Sequence, residues 1–267
     1  MKKLTLSAIL GVAALSVMSQ SAMAKCSDIS RSTLETAVTA AKGLVTGGYS
    51  LPMWVTFVDE TGMVCDVVTS GVSGASAGNN EWLGSRVISA QKANTANAFS
   101  LDGYAISTAN LYSAVQPGGS LYGLQFSNPV APVKAYAGAP SAYGTPTDPM
   151  KGKRVGGVNV FGGGLAVYLA GKKVGAIGVS GDTSCRDHAF AWQVRTALAG
   201  HPGGSGITTV NMDASGAAQT PLATGLKGDE MILNATTTTT PYWDAWSQPT
   251  CPNSLPAATL DNGTLLN

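Results

Sequence analysis

The chain has 267 residues, of which 12% are charged, and its formal net charge is +1. No basic stripe of the kind that neutralises a phosphate backbone is present, so the sequence argues against nucleic acid as a partner. The four cysteines form no CxxC or CxxCH motif, and this excludes the common zinc, redox and haem-attachment patterns.

The first 24 residues have the pattern of a cleavable signal peptide. Lys2 and Lys3 form a charged start, an apolar stretch follows, and small residues precede a cleavage point after Ala24. The apolar stretch is too short and too rich in small residues for a convincing membrane span, so we expect no stable membrane insertion. These features predict a periplasmic or secreted protein.

The rest of the chain is long enough for one large domain. We predict that domain at residues 25–205, followed by an irregular C-terminal extension at residues 206–267 that packs on it. In an exported chain the four cysteines are expected to form two disulfides, and three pairings are open. We favour Cys26–Cys65 and Cys185–Cys251, of which the second would tie the extension to the domain.

The first elements predicted are a helix and a hairpin. Ser32-Thr33-Leu34-Glu35 has the sequence of a capping box, and apolar residues then repeat at helical spacing until Gly47. Residues 54–59 and 64–69 have strand composition and flank a turn that contains glycine. These patterns indicate a helix followed by a sheet that is covered on at least one face.

A second helix is predicted over residues 82–99. Lys92 lies among its small residues, where a lysine can reach an anionic ligand or, as is usual for helix lysines, remain solvated. Residues 107–115 are predicted as a short helix and residues 121–126 as a strand. The loop at residues 128–152 is long enough to fold over a site as a lid.

Two further strands are predicted at residues 162–169 and 174–179, joined by a short turn. Glycine is dense within them, most of all at Gly162, Gly163 and Gly164. Glycine gives up side-chain packing in a strand, so its repeated use indicates that a backbone or a ligand approaches closely there.

The helix that follows has Ser184 and Asp187 at the spacing of a capping pair. Its apolar residues lie on one side, whereas His188, Trp192 and Arg195 lie together on the other. This second group could bind an anion, a metal or a flat aromatic ligand. Alternatively, Trp192 and Arg195 stack against a neighbouring subunit and His188 caps the helix.

Four segments in order resemble the GlcG/HbpS family of haem-binding proteins. They are VTFVDETG at 55–62, SAQKANTANAFS at 89–100, FGGGLAVY at 161–168 and VGAIGVSGDTSCRDHAFAW at 174–192. The resemblance implies an α/β fold of profilin-like outline: a sandwich with an antiparallel sheet of about five strands and helices packed against it. It also implies haem, another tetrapyrrole or iron as the ligand, and assembly into a homo-oligomer.

Carried onto this chain, the resemblance implies a ligand site at Lys92, Gly162, Gly163, Gly164, Gly181 and Asp187. His188 lies in a matching segment and is the candidate iron ligand, because histidine is a common protein ligand of haem iron. A tyrosine, a methionine or a threonine oxygen stays open as an alternative. Lys92 or Arg195 would pair with the haem propionates.

Three classes of function are therefore open. The first is an exported haem-binding protein that acts as a carrier, scavenger or sensor. The second is an enzyme acting on a small organic acid or another small anionic substrate, with Lys92 on the carboxylate and Asp187 or His188 as acid or base. The third is an oligomeric module that binds a partner. No nucleophile elbow, metal-ligand triad or phosphate loop supports the enzyme.

Overall fold

The computed structural model describes residues 25–45, 47–71, 82, 84–207, 226–234 and 246–252, so the predicted signal peptide lies outside it. The helices are α1 (Arg31–Ala41), α2 (Ser85–Phe99), α3 (Leu111–Ala114), α4 (Leu124–Ser127), α5 (Pro132–Ala135) and α6 (Ser184–Ala197). The strands are β1 (Trp54–Asp59), β2 (Val64–Thr69), β3 (Gly164–Leu169), β4 (Lys172–Ser180), β5 (Leu233–Asn234) and β6 (Gln248–Pro249). None of the helices in these ranges has the length and apolarity that a bilayer span requires.

A four-stranded antiparallel sheet with the order β2-β1-β4-β3 lies at the centre of the described chain. The α/β class and the antiparallel sheet with helices packed against it are confirmed. The resemblance implied about five strands, whereas this sheet has four. Residues 121–126, predicted as a strand, instead form turns and the start of α4, where the left-handed backbone at Gly123 precedes the helix.

Helices cover both faces of this sheet. Successive side chains of a strand point to opposite faces, and all six residues of β1 are buried, as a doubly covered strand requires. Val55 and Phe57 of β1 belong to a core that they share with α1 and α6. Val58 belongs to a second core, on the α2 side. The sheet is therefore the middle layer of a sandwich.

Glycines let α2 lie directly on the sheet. Gly178 of β4 and Gly164 of β3 are Cα partners in the antiparallel register. A Cβ on Gly178 would overlap the carbonyl oxygen of Ser89 and the backbone nitrogen of Ala93, both in α2. The close approach predicted from the glycine-rich strands is therefore, at this position, an approach of the protein's own helix.

Both favoured disulfides are present. Cys26 is bonded to Cys65, and Cys185 at the start of α6 is bonded to Cys251. Asp59 lies beside the first bridge, but the two sulfurs there are bonded to each other and offer no thiolate to a metal.

The helix caps differ from the predicted ones by one or two residues. Ser30, not Ser32, caps α1 by accepting a hydrogen bond from the backbone nitrogen of Thr33. Thr183, not Ser184, caps α6 by accepting from the backbone nitrogen of Arg186. A hydroxyl one residue away can satisfy the same free amides, so residue spacing alone does not select the capping residue.

The loop at residues 128–152 packs against α1, α2 and the β2 edge. Arg86 of α2 forms a buried ion pair with Asp148, and its guanidinium lies 3.7 Å from the centre of the Tyr143 ring. Arg31 of α1 donates to the carbonyl oxygen of Thr145. These contacts do not place the loop as a lid over His188. The segment that covers His188 comes from the C-terminal extension.

Candidate functional site

Helix α6 is buried on both of its sides. The apolar side packs in the core as predicted, and the polar side is buried as well: His188 is 1% exposed, Trp192 is 2% exposed and Arg195 is 0% exposed. The structure brings His188, Lys92, Asp187 and the start of β3 together at the N-terminal end of α6. The neighbours of each predicted site residue show whether it is free to bind a ligand.

Lys92 crosses from one layer of the sandwich to the other. It leaves α2, passes Gly163 at the start of β3, and donates hydrogen bonds to the carboxylate of Asp187 at 2.8 Å and to the carbonyl oxygen of Val179 at 2.9 Å. A Cβ on Gly163 would come within 3.0 Å of the Lys92 ammonium, and the φ of +121° at this residue is strained for any other amino acid. The atom nearest to that Cβ is the carbonyl oxygen of Val179, so Gly163 makes room for the backbone of β4 as well as for the ion pair.

The Lys92–Asp187 pair is fully enclosed. Burial raises the pKa of Asp187 to about 6 and lowers the pKa of Lys92, although each charge partly counteracts the shift of the other. Asp187 also accepts a hydrogen bond from the backbone nitrogen of Asp182. With its ammonium held inside the fold, Lys92 does not reach a propionate or a substrate carboxylate in this conformation.

Arg195 also forms a buried ion pair within the protein. Its guanidinium donates two hydrogen bonds to Asp229, one of them at 2.8 Å, and another to the carbonyl oxygen of Ala166. Its Cζ atom lies 4.7 Å from the centre of the Trp192 ring. The partner of Arg195 is therefore a carboxylate of the chain's own C-terminal extension.

The space in front of the other glycines is filled by the protein. A Cβ on Gly162 would meet the methyl group of Met231 and the carbonyl oxygen of Ser184, and would lie 3.0 Å from the Cβ of His188. Gly181 packs separately, on the backbone of residues 52–53. Among the residues that the structure describes, the glycine-lined strands therefore present no open slot, because Met231 occupies the place next to Gly162 and His188.

His188 differs from Lys92 and Asp187, because in the described part of the chain neither of its ring nitrogens has a hydrogen-bond partner. Burial, and then the charges of Arg195 and Lys92, lower its pKa to about 3, so the imidazole is neutral at physiological pH. Its ring centre lies 6.3 Å from that of Trp192, which in turn contacts the His201 ring at 4.8 Å. A neutral imidazole with a free nitrogen is the form that binds iron.

The pH dependence of unfolding should differ between the protein and its His188→Leu variant. Below pH 6.5 the unfolded chain takes up a proton on His188 that the folded protein excludes, and this should remove about 2 kcal/mol of stability by about pH 5. The raised pKa of Asp187 acts in the opposite direction between about pH 4 and 6. That contribution is common to both proteins and largely cancels in the difference.

Urea unfolding at about pH 7.5 and pH 5 measures this difference. On acidification the protein should lose about 2 kcal/mol more than the variant does. Equal losses would show that His188 titrates alike in the folded and unfolded chains.

Three residues that contact the polar side of α6 or lie beside His188 were not predicted. Met231 and Asp229 lie in a short described segment of the extension, and His201 follows the end of α6. His201 lies against Trp192, and its Nε2 is 2.7 Å from the Thr196 hydroxyl. The segment around Met231 has no periodic pattern, so only a long-range contact reveals its role.

Comparison with known proteins gives one family. A family model described as "Haem degrading protein HbpS-like" matches residues 27–195. An uncharacterized 15.0 kDa protein in the dhaT-dhaS intergenic region of Citrobacter freundii is 38% identical over 84 residues, which are 32% of this chain and 41% of that relative. The chain thus spans less than half of the length of that relative.

Solved structures give weaker likenesses. Protein ORFY of Klebsiella pneumoniae is 24% identical, with a TM-score of 0.42, over 63% of this chain and 86% of that one. A PduOC:heme complex is 24% identical, with a TM-score of 0.41, over 62% and 89%. A double mutant of HbpS from Streptomyces reticuli is 17% identical, with a TM-score of 0.42, over 72% and 99%.

Proposed function

The chain belongs to the family described as HbpS-like haem degrading proteins, and from that premise we propose that it is an exported haem-binding protein whose iron ligand is His188. Haem-related binding is the property that the family description supports. The assignment to His188, and a role as carrier, scavenger or sensor, go further and depend on the residues of this chain.

The observation that carries the proposal is that the buried His188 ring is neutral and forms no hydrogen bond with the described residues. A buried polar group without a hydrogen bond is costly, and such groups are rare in folded proteins. His188 has two such nitrogens, and its lowered pKa keeps the ring neutral. An iron ion bound to one nitrogen would remove that cost in part, as haem iron does with histidine in many proteins.

The other predicted site residues have different parts in this proposal. Trp192 supplies an aromatic surface beside His188. Lys92 binds Asp187 in the first turn of α6, and Arg195 in the last turn binds Asp229. Neither cation is available to a propionate while those pairs last. The same pairing removes the cation that the alternative enzyme would need for a substrate carboxylate.

Export is part of the proposal and has two supports. The first 24 residues have the composition of a cleaved leader. The two disulfides are of the kind that forms in an oxidising compartment such as the periplasm. Assembly into a homo-oligomer stays a prediction that a native mass measurement can check.

Haemin titration tests the ligand. The chain has two histidines, His188 and His201, and each provides the control for the other. We expect the protein to give a Soret band with haemin, His188→Ala to weaken binding at least about tenfold through loss of the iron ligand, and His201→Ala to retain it. Absorbance spectra across the titration give the affinity.

Two results would contradict the proposal. The first is an unchanged affinity and spectrum in the His188→Ala protein. The second is a protein that is folded by circular dichroism yet shows no Soret band at any haemin concentration.

A further inference from the structure

A short part of the C-terminal extension covers the candidate haem site. We call residues 226–234 the closing segment. It lies beyond the family match, which ends at residue 195. Asp229, Glu230 and Met231 of this segment are at most 1% exposed, although the segment contributes only the two-residue strand β5.

Three contacts hold the closing segment on the domain. Asp229 accepts two hydrogen bonds from Arg195 of α6. The side chain of Asn110 donates to the backbone oxygen of Glu230 at 2.9 Å. Met231 packs where a side chain on Gly162 would be, next to His188. The segment therefore binds the same helix face and the same glycine that a ligand of His188 would use.

A second piece of the extension supports this arrangement. The side-chain oxygen of Gln248 accepts a hydrogen bond from the backbone nitrogen of Gly162 at 2.9 Å. The backbone nitrogen of Gln248 donates to the oxygen of Ile232 in the closing segment, and β6 pairs with β5. The disulfide between Cys185 and Cys251 then attaches this piece to α6.

We propose that the closing segment is an internal occupant of the haem site, with Met231 filling the space beside Gly162 and His188 that a flat ligand needs. The inference rests on the proposed function, since it concerns access to the same site. Haem binds when the segment withdraws. The association constant measured for the whole protein is therefore that of the open state multiplied by the fraction of molecules in which the segment has withdrawn.

The side chains of the closing segment support its role as an occupant of the ligand's place, beyond merely covering the site. Met231 is unbranched and flexible, so it can fill an irregular apolar gap and leave it without strain in the strands. Asp229 places a carboxylate on Arg195, as a propionate of a bound tetrapyrrole would. An apolar group next to the histidine and an anion on the arginine together resemble the two parts of haem.

Haemin titration of full-length Met231→Ala tests the inference, with Met150→Ala as the matched control. Met150 is also a fully buried methionine, but it belongs to the core on the α2 side. We expect Met231→Ala to bind haemin at least about tenfold more tightly than the unaltered protein, because the open state gains population. Met150→Ala should bind as the unaltered protein does.

Hydrogen exchange of the unaltered protein gives a second readout that needs no variant. Amides of residues 226–234 should exchange faster when haemin is bound, whereas those of β1 should keep their protection. Unchanged or slower exchange in residues 226–234 would overturn the inference.

The outcomes separate the two proposals. Equal or weaker haemin binding by Met231→Ala, with a Soret band that still depends on His188, would overturn the closing segment as occupant and leave haem binding in place. Absence of haemin binding in both the unaltered protein and Met231→Ala would overturn haem binding and the inference with it.

Discussion

Asp187→Ala should lower the free energy of unfolding by about 3–5 kcal/mol, because it leaves the Lys92 ammonium buried without its counter-ion. Lys92 is 0% exposed and would keep the carbonyl oxygen of Val179 as its remaining hydrogen-bond partner. Urea unfolding followed by circular dichroism measures the loss.

A double variant shows whether the unpaired charge is the cause. Lys92→Met combined with Asp187→Ala has the same cavity at residue 187 but no buried charge, and it should recover most of the lost stability. The exposed ion pair of Lys172 with Asp102 provides the matched control, and Asp102→Ala should change stability little. If the double variant is as unstable as Asp187→Ala, the cavity accounts for the loss.

Gly178→Ala should destabilise the fold by about 3 kcal/mol or more, the upper part of the range for overpacking a core. The added methyl group would overlap backbone atoms of Ser89 and Ala93, which cannot move away as a flexible side chain can. The overlap can be removed only if α2 moves away from the sheet. Such a shift would also weaken the packing of the buried alanines of α2 in the core.

Gly103→Ala is the control for this substitution. No atom of the described residues lies within 4 Å of a Cβ placed on Gly103, and the backbone there is not left-handed. The stability of the Gly103→Ala protein should therefore be nearly unchanged. Thermal unfolding of the two variants side by side compares them. A Gly178→Ala protein as stable as Gly103→Ala would mean that α2 does not contact the sheet as described.

Elements formed by local interactions could be predicted from sequence. Residues 54–59 and 64–69 were predicted as strands and are β1 and β2, because alternating and β-branched residues favour an extended backbone. The second helix was predicted from residue 82 and begins at Ser85. Residues 121–126 were mispredicted as a strand, since a short apolar run does not distinguish a strand from a turn and helix.

Features that depend on distant contacts could not be predicted in this way. Asp187 has the spacing of a capping residue, yet its carboxylate binds Lys92, which is 95 residues away in the chain. The polar side of α6 was expected to face a ligand or a subunit, and it is buried by Asp229 and Met231. No local signal marks those two residues, because both are far in the sequence from α6, which ends at Ala197.

The glycines show how one signal can have two causes. Their density predicted close approach correctly, but it could not say what approaches. At Gly178 it is the backbone of α2, at Gly163 the carbonyl oxygen of Val179 and then the ammonium of Lys92, and at Gly162 the methyl group of Met231. Of these neighbours, Met231 belongs to a segment outside the family match and would have to leave for a ligand to enter.

The Cys185–Cys251 disulfide bears on how selective such a site would be. Because Cys251 is bonded to the first turn of α6, a closing segment that withdrew would still be tethered to the helix that carries His188. A tethered group competes with free ligands at an effective concentration set by the length of its connection. Weakly held flat molecules would be expelled by the protein's own chain, and only a ligand that gains a strong bond, such as iron to imidazole, would be retained.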